Sequence, residues 1–193
     1  LDQMQDEGLL FSILPTSNMV KQGQYLNWRK NSLLSKNTLL AVITFPNDLF
    51  YPVGVETCGI IVKKGEPHPK KQNVLWLKVR SDGLLKSKGK RLPSKRAINE
   101  FDTITDIVRD FVKNPKLSVP NLKAFQKACP IDCADKNLEL LPEVYLDEKN
   151  PTDADLKERI EYTVRDTISS MVKFNRINEF KKEVMPHNKD LLE

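Results

Sequence analysis

The sequence predicts an α/β fold: a sheet that begins strand, helix, strand, continues through an antiparallel hairpin, and is followed by a C-terminal helical extension. Three observations lead there. LLFSILP (9–15), LLAVITF (39–45) and VLWLKV (74–79) are apolar runs of strand length without alternation, as in strands buried on both faces. Between the first two, YLNWRKNSLLSKN keeps Tyr25, Leu26, Trp28, Leu33 and Leu34 on one face, the spacing of a crossover helix. Helical spacing returns in residues 98–113 and again beyond Thr152.

In chain order, Leu1 to Glu7 reads as a helix end closed by Gly8, and Pro15 stops the first strand. Strand, helix, strand then implies a parallel layer, with Asn37 offering the helix end. TCGIIVKK (57–64) is close enough to its predecessor to pair with it as a hairpin. GEPHPKKQN is a proline-broken turn, and SDGLLKSKGKRLPSKR is a loop rich in Lys with no apolar period. Ile98 to Lys113 is a helix through Ile104, Ile107, Val108 and Phe111, capped by Asp102 or Thr103. After Asn114-Pro115, scattered apolar residues and prolines suggest an irregular linking arm or small subdomain. A long amphipathic helix follows from Thr152 to Val184, capped by Thr152 or Asp153, with Leu156, Ile160, Val164, Ile168, Met171 and Val172 as its stripe. The expected division is therefore 1–113 and 114–193.

At 193 residues and 39% hydrophobic, the chain can bury one sizeable core with an appendage. It has no apolar run of eighteen residues and no basic-then-apolar leader, so neither a membrane partner nor export is expected. Cys58, Cys129 and Cys133 are too few for a disulfide framework and fit a reducing, cytoplasmic setting. Cys129 and Cys133 form a C-x3-C pair, but neither His68 nor His187 is in register with it, so no metal is expected. The opening at Leu1 rather than Met implies a piece of a longer protein.

Charge is unevenly spread. Between Lys63 and Arg96 twelve basic side chains face only Glu66 and Asp82, so this block carries +10 in a chain of net +5. Lys86, Lys88, Lys90, Arg91, Lys95 and Arg96 form its densest part. Such a block suits a phosphate backbone, whose counterions it releases; the alternative is a solvated loop surface.

Between the second and third strands lies FPNDLFYPVGVE, with Phe50, Tyr51, Pro52 and Gly54 on a short loop stiffened by Pro46 and Pro52. An aromatic pair there can offer a flat face to a base lifted from a duplex. It can equally cap the core beside a strand end.

FPNDLFYPVGVET followed by CGIIVKKG resembles the strand, aromatic loop and hairpin of N6-adenine DNA methyltransferases, in particular the modification subunits of type I restriction systems and related N-6 DNA methylases. LLFSILPTSNM is similar to that family's sheet strand with its following turn, and the helix with YLNWRKNSLL to its crossover. VLWLKVRSDGLLKSKGKRLPSKRAINEFDTITDIVRDF resembles the next strand, Gly-Lys-Arg loop and helix, so the likeness covers about Leu1 to Lys113. It implies a partial Rossmann-like methyltransferase sheet. It also implies that Phe50 or Tyr51 stacks on a flipped adenine, Gly54 lets the loop approach closely, and Thr57 starts the hairpin strand. DNA is the implied substrate, with a specificity or restriction subunit as partner.

Two elements of the family's chemistry are missing from this sequence. There is no glycine-rich G-x-G turn to seat S-adenosylmethionine, and no Asn/Asp-Pro-Pro-Tyr/Phe element to hold the adenine amino group. In the family's order both precede the first strand seen here. The chain thus looks like the C-terminal portion of such an enzyme, with S-adenosylmethionine bound by the parent, none bound by the fragment alone, and no catalytic residue in it. A bare sheet edge at the first strand would favour self-association. The other readings are a non-catalytic DNA-binding module or a subunit-assembly module.

Overall fold

A computed structural model describes residues 4–87, 89–93, 98–122 and 125–146, together with the helical positions Lys157, Ile160, Glu161 and Val164. The chain divides into two compact units, Leu1–Pro151 and Thr152–Glu193. The division lies after Pro151 and not after Lys113. Apart from those four helical positions, the long helix read from Thr152 to Val184 lies outside the described residues.

The first unit is built on a five-stranded sheet. Its strands are β1 (Leu9–Pro15), β2 (Asn37–Thr44), β3 (Thr57–Lys64), β4 (Asn73–Lys78) and β7 (Gln126–Pro130), in the order β1-β3-β2-β4-β7. Every residue of β2 is buried, as its unbroken apolar run requires of a central strand. β2 pairs parallel with β4 from Ala41↔Leu75 to Thr44↔Lys78. β3 runs antiparallel between β1 and β2, matching Pro15↔Thr57 on one side and Thr44↔Cys58 on the other. The first two strands therefore point the same way but are not neighbours; the hairpin strand inserts between them. That placement corrects the simple parallel layer expected from strand, helix, strand.

β1 alternates in exposure, with Leu9, Phe11 and Ile13 open on one face, which corrects the expectation that its run is buried on both. Helices lie on both faces of the sheet. On one lie the short helices α1 (Ser17–Val20) and α2 (Gln24–Trp28), a π-helical turn (Arg29–Leu34) and the segment 131–146. There Met19, Leu33, Val42, Ile60, Val62 and Trp76 close on Leu138, Leu140 and Leu146. The crossover expected as one helix thus turns π-helical at Arg29, and the Asn37 amide ends it by donating to the carbonyls of Ser32 (2.9 Å) and Leu33 (3.1 Å). On the other face α3 (Glu100–Lys113) buries Ile107 and Phe111. Its cap is Asn99, whose side chain accepts from the Phe101 amide, in place of Asp102 or Thr103.

The arm after Asn114 is more ordered than its pattern suggests. β7 joins β4 as an edge strand ending in Pro130, where a missing amide costs no ladder bond. α4 (Pro142–Tyr145) then lays Tyr145 flat on Trp76, with ring centroids 3.7 Å apart. The Lys-rich stretch expected as a loop contains the hairpin β5 (Leu84–Ser87) and β6 (Lys90–Pro93), with Gly89 at φ 79° in its turn. The N-terminal helix end is replaced by bends and turns over 4–8, where the Glu7 amide bonds to Lys64; Leu1–Gln3 lie outside the described residues. Among the described residues no helix is long and apolar enough to cross a membrane.

Candidate nucleic-acid interface

The loop 45–56 leaves the carboxyl end of β2 and returns as β3, on the side of the sheet where open α/β folds bind ligands. It is wound from short turns: the amides of Leu49, Tyr51 and Val53 bond back to the carbonyls of Pro46, Asp48 and Phe50 at 3.0, 3.2 and 2.9 Å. Phe45 anchors its start, with its amide on the Thr57 carbonyl at 3.1 Å and its ring tilted against Phe101. The Tyr51-Pro52 bond is cis. Phe50 is 41% exposed, a large value for a phenyl ring. Tyr51 is partly buried and faces the β5–β6 turn, where a Cβ added at Gly89 would lie 3.7 Å from its hydroxyl. Gly54 is exposed, and a Cβ there would meet nothing within 4 Å. Thr57 is buried, its hydroxyl without a hydrogen-bond partner among the described residues.

Beside this loop a cleft of about 490 Å³ opens at the ends of β1, β2 and β4. Asn47, Asp48, Glu56, Lys78, Arg80 and Glu143 bring charge and polarity to its walls. Glu143, from α4, accepts a hydrogen bond from the Thr44 hydroxyl at 2.9 Å and pairs with Lys78 at 3.5 Å. Its charge and burial together push the Cys58 thiol up to about 12, burial being the larger cause, so that thiol stays protonated. Arg80 sits over the Phe125 ring at 4.3 Å. Lys78 counted in the sequence only toward the basic block, and neither Thr44 nor Glu143 stood out, because Glu143 lies 99 residues from Thr44 and only the packing of α4 on the sheet joins them.

The residues expected to face DNA fall into three groups. Lys90 is exposed on β6. Arg91 is only 11% exposed in its side chain and is bound internally. It forks onto Asp82 through two 2.7 Å contacts, reaches Asp48 at 3.4 Å, and donates to the Leu49 carbonyl at 3.2 Å. The backbone of Lys86 pairs with Arg91 in the hairpin, while Lys88, Lys95 and Arg96 lie outside the described residues. Cys129 is half buried in β7 and Cys133 exposed, and no cluster of three or more metal-ligating side chains occurs among the described residues.

The sequence matches the family described as N-6 DNA Methylase over residues 1–153. The chain belongs to the N-6 DNA methylase family. A curated relative of this N-6 DNA methylase chain, the type II restriction enzyme and methyltransferase RM.BcgI of Heyndrickxia coagulans, is 38% identical over 76 residues, which are 39% of this chain and 12% of that protein. Two solved structures share the fold. One, from a study of complex assembly and conformational transition in a type I R-M system, superposes with a TM-score of 0.52 at 18% identity, covering 91% of this chain and 36% of its own. The other, the methyltransferase subunit of a type I restriction-modification system from Streptococcus thermophilus, gives a TM-score of 0.50 at 19% identity over 70% of this chain and 26% of its own. This N-6 DNA methylase chain thus spans about an eighth of the curated relative's length and about a third or less of the two structures.

Proposed function

We propose that this chain is the C-terminal portion of an adenine-specific DNA methyltransferase of a restriction-modification system, and that it supplies the wall of the adenine pocket and a basic hairpin beside it. The observation that carries the reading is the exposed Phe50 ring on a wound loop at the carboxyl end of a fully buried strand. Stacking a base on such a ring contributes roughly 1–3 kcal/mol and asks for no base-specific group. Phe50 or Tyr51 would take the base, Gly54 leaves the loop tip open to close approach, and Thr57 fixes where the loop rejoins the sheet. Lys90 and its neighbours Lys86, Lys88, Lys95 and Arg96 would track the phosphates.

Members of this family take their methyl group from S-adenosylmethionine, and the described residues do not fit that donor. The chain leaves β1, β2 and β4 through Thr16, Phe45 and Val79, with no glycine at these exits to let backbone amides close on a ligand. Donor binding and the groups that steer the adenine amino group are assigned to sequence outside this chain, and none of its own residues is assigned a catalytic role. β1 ends the sheet in strand order and is where the family's preceding strand would pair, with a specificity or restriction subunit as a further partner of the parent protein. Lacking that strand, the isolated chain would self-associate through the same edge.

Methyl transfer decides the matter. With labelled S-adenosylmethionine and duplex DNA, the complete protein is expected to label adenine N6, and the isolated chain is expected neither to bind the donor nor to transfer. Donor-dependent labelling by the isolated chain would overturn the assignment of both functions to outside sequence. A complete protein without transfer would leave only a binding or assembly module.

A further inference from the structure

We propose that Arg91 is a positioning residue: it does not contact phosphate but pins the aromatic loop to the basic hairpin, so that base capture and backbone binding are held in one geometry. The inference rests on the adenine-pocket reading above and adds to it the device that places the pocket wall. Arg91 belongs to the most basic stretch of the chain, yet its guanidinium is turned inward. The two 2.7 Å contacts to Asp82 form a bidentate fork, the strongest geometry for such a pair. Asp82 is itself only 10% exposed in its side chain and accepts from the Leu84 amide at 3.1 Å, so the acceptor has a hold besides Arg91. Asp82 also bridges Asn99, the cap of α3, which ties the assembly to the helix on the sheet.

The same two terminal nitrogens also reach the loop. Their contacts there are the Leu49 carbonyl at 3.2 Å and Asp48 at 3.4 Å, the two residues immediately before Phe50. The Asp48 carbonyl is in turn the acceptor of the Tyr51 amide. One side chain therefore joins the basic hairpin to the turn that carries both aromatic rings, and through Asp82, whose backbone bridges Asn99, to the start of α3. A lysine could not do the same, since a single ammonium cannot present the two nitrogens that fork onto Asp82 while also donating to Asp48 and the Leu49 carbonyl.

The test uses the complete protein with Arg91→Gln, Arg91→Lys, Asp48→Asn, Lys90→Ala and Phe50→Ala. Two quantities are read: amide hydrogen exchange, and affinity for a non-specific 30-base-pair duplex over a KCl series. With Arg91→Gln and Arg91→Lys, exchange at Leu49, Tyr51 and Val53 is expected to rise about tenfold or more while Ile43 and Ile60 in the core are unchanged, and the slope of affinity with salt stays at the parent value. Lys90→Ala is expected to reduce that slope by about 0.9, the worth of one phosphate contact. Asp48→Asn removes the charge from one of the two loop contacts while leaving the Leu49 carbonyl in place, and should speed loop exchange by a smaller factor even if both Arg91 variants fold poorly. A lowered salt slope in Arg91→Gln that Arg91→Lys restores, with loop exchange unchanged, would make Arg91 a phosphate contact and overturn the proposal. The pocket reading is judged separately, by quenching of 2-aminopurine in a single-stranded oligonucleotide: it fails if Phe50→Ala leaves the quenching intact, whatever the exchange data say of Arg91.

Discussion

Arg29 is buried and Arg91 nearly so, and the difference between their partners separates a structural lock from a functional mount. Arg29 is wholly buried and donates to four backbone carbonyls, those of Leu138, Asn18, Lys21 and Asn137, at 2.8 to 2.9 Å, and among the described residues no carboxylate forms an ion pair with it. It stitches the helical layer to the segment 137–138, where Leu138 takes a positive φ of 47°. Arg91 instead holds two carboxylates and one carbonyl, and what it holds is a loop with exposed rings. Neutral acceptors deep in a core fix one arrangement of the chain; a charge-paired fork near the surface fixes a loop and leaves its tip open to a ligand.

The largest effect is expected on the Arg29 side. Arg29→Met keeps much of the volume but leaves four carbonyls without their donor, and hydrogen bonds from a charged group contribute about 1.5–3 kcal/mol each. Relief from desolvating the guanidinium offsets part of this, leaving a net loss of about 3 kcal/mol and a fall in Tm on the order of 10 °C. Calorimetry of parent and variant measures it. A variant as stable as the parent would mean that the carbonyls find water, and that Arg29 is no more a lock than Arg91.

How far these roles could be seen in the sequence depends on whether the signal is local. β2, β3 and β4 are legible because an unbroken apolar run has few other fates, and the aromatic loop is legible because it interrupts two such runs. The order of the strands is not: nothing local says that β3 enters between β1 and β2. β7 is masked because QKACP is short, half polar and ends in Pro130, the profile of an edge strand. Arg91 is misread and Arg29 is passed over for related reasons. In a sequence, a basic residue counts toward a charge block, and only the fold shows that Arg91 is spent on Asp82 and that Arg29 is enclosed by carbonyls.

Acid should act on the Arg29 side before it disturbs the sheet. His68 follows β3, its amide bonded to the Leu34 carbonyl at 2.8 Å at the end of the helical layer, and burial pushes its imidazole down to about 4. The unfolded chain takes up that proton near 6.5, so stability is full above that pH and is lost as pH falls from 6.5 toward 4. Asp135, whose carboxylate accepts from the amides of Glu139 and Asn137 in the loop that Arg29 grips, is held below the usual carboxylate range, and its contribution fades at still lower pH. Denaturant titrations from pH 7 to 4 are expected to show a decline in stability that His68→Gln flattens. An unchanged slope in that variant would place the sensitivity elsewhere.

The smallest effect on stability, and the sharpest on function, is expected at Phe50. A ring 41% exposed on a loop contributes little to the core, so Phe50→Ala should change stability by less than about 0.5 kcal/mol. Its effect on base stacking should be roughly 1–3 kcal/mol if the ring is the pocket wall. Combining it with Arg91→Gln joins the two halves of the device. If Arg91 acts only by placing Phe50, then once the ring is gone the arginine has nothing left to place, and the double variant should stack 2-aminopurine no worse than Phe50→Ala alone. Strict additivity of the two losses would instead mean that Arg91 and Phe50 meet the nucleic acid independently. The mount would then be no more than a second lock.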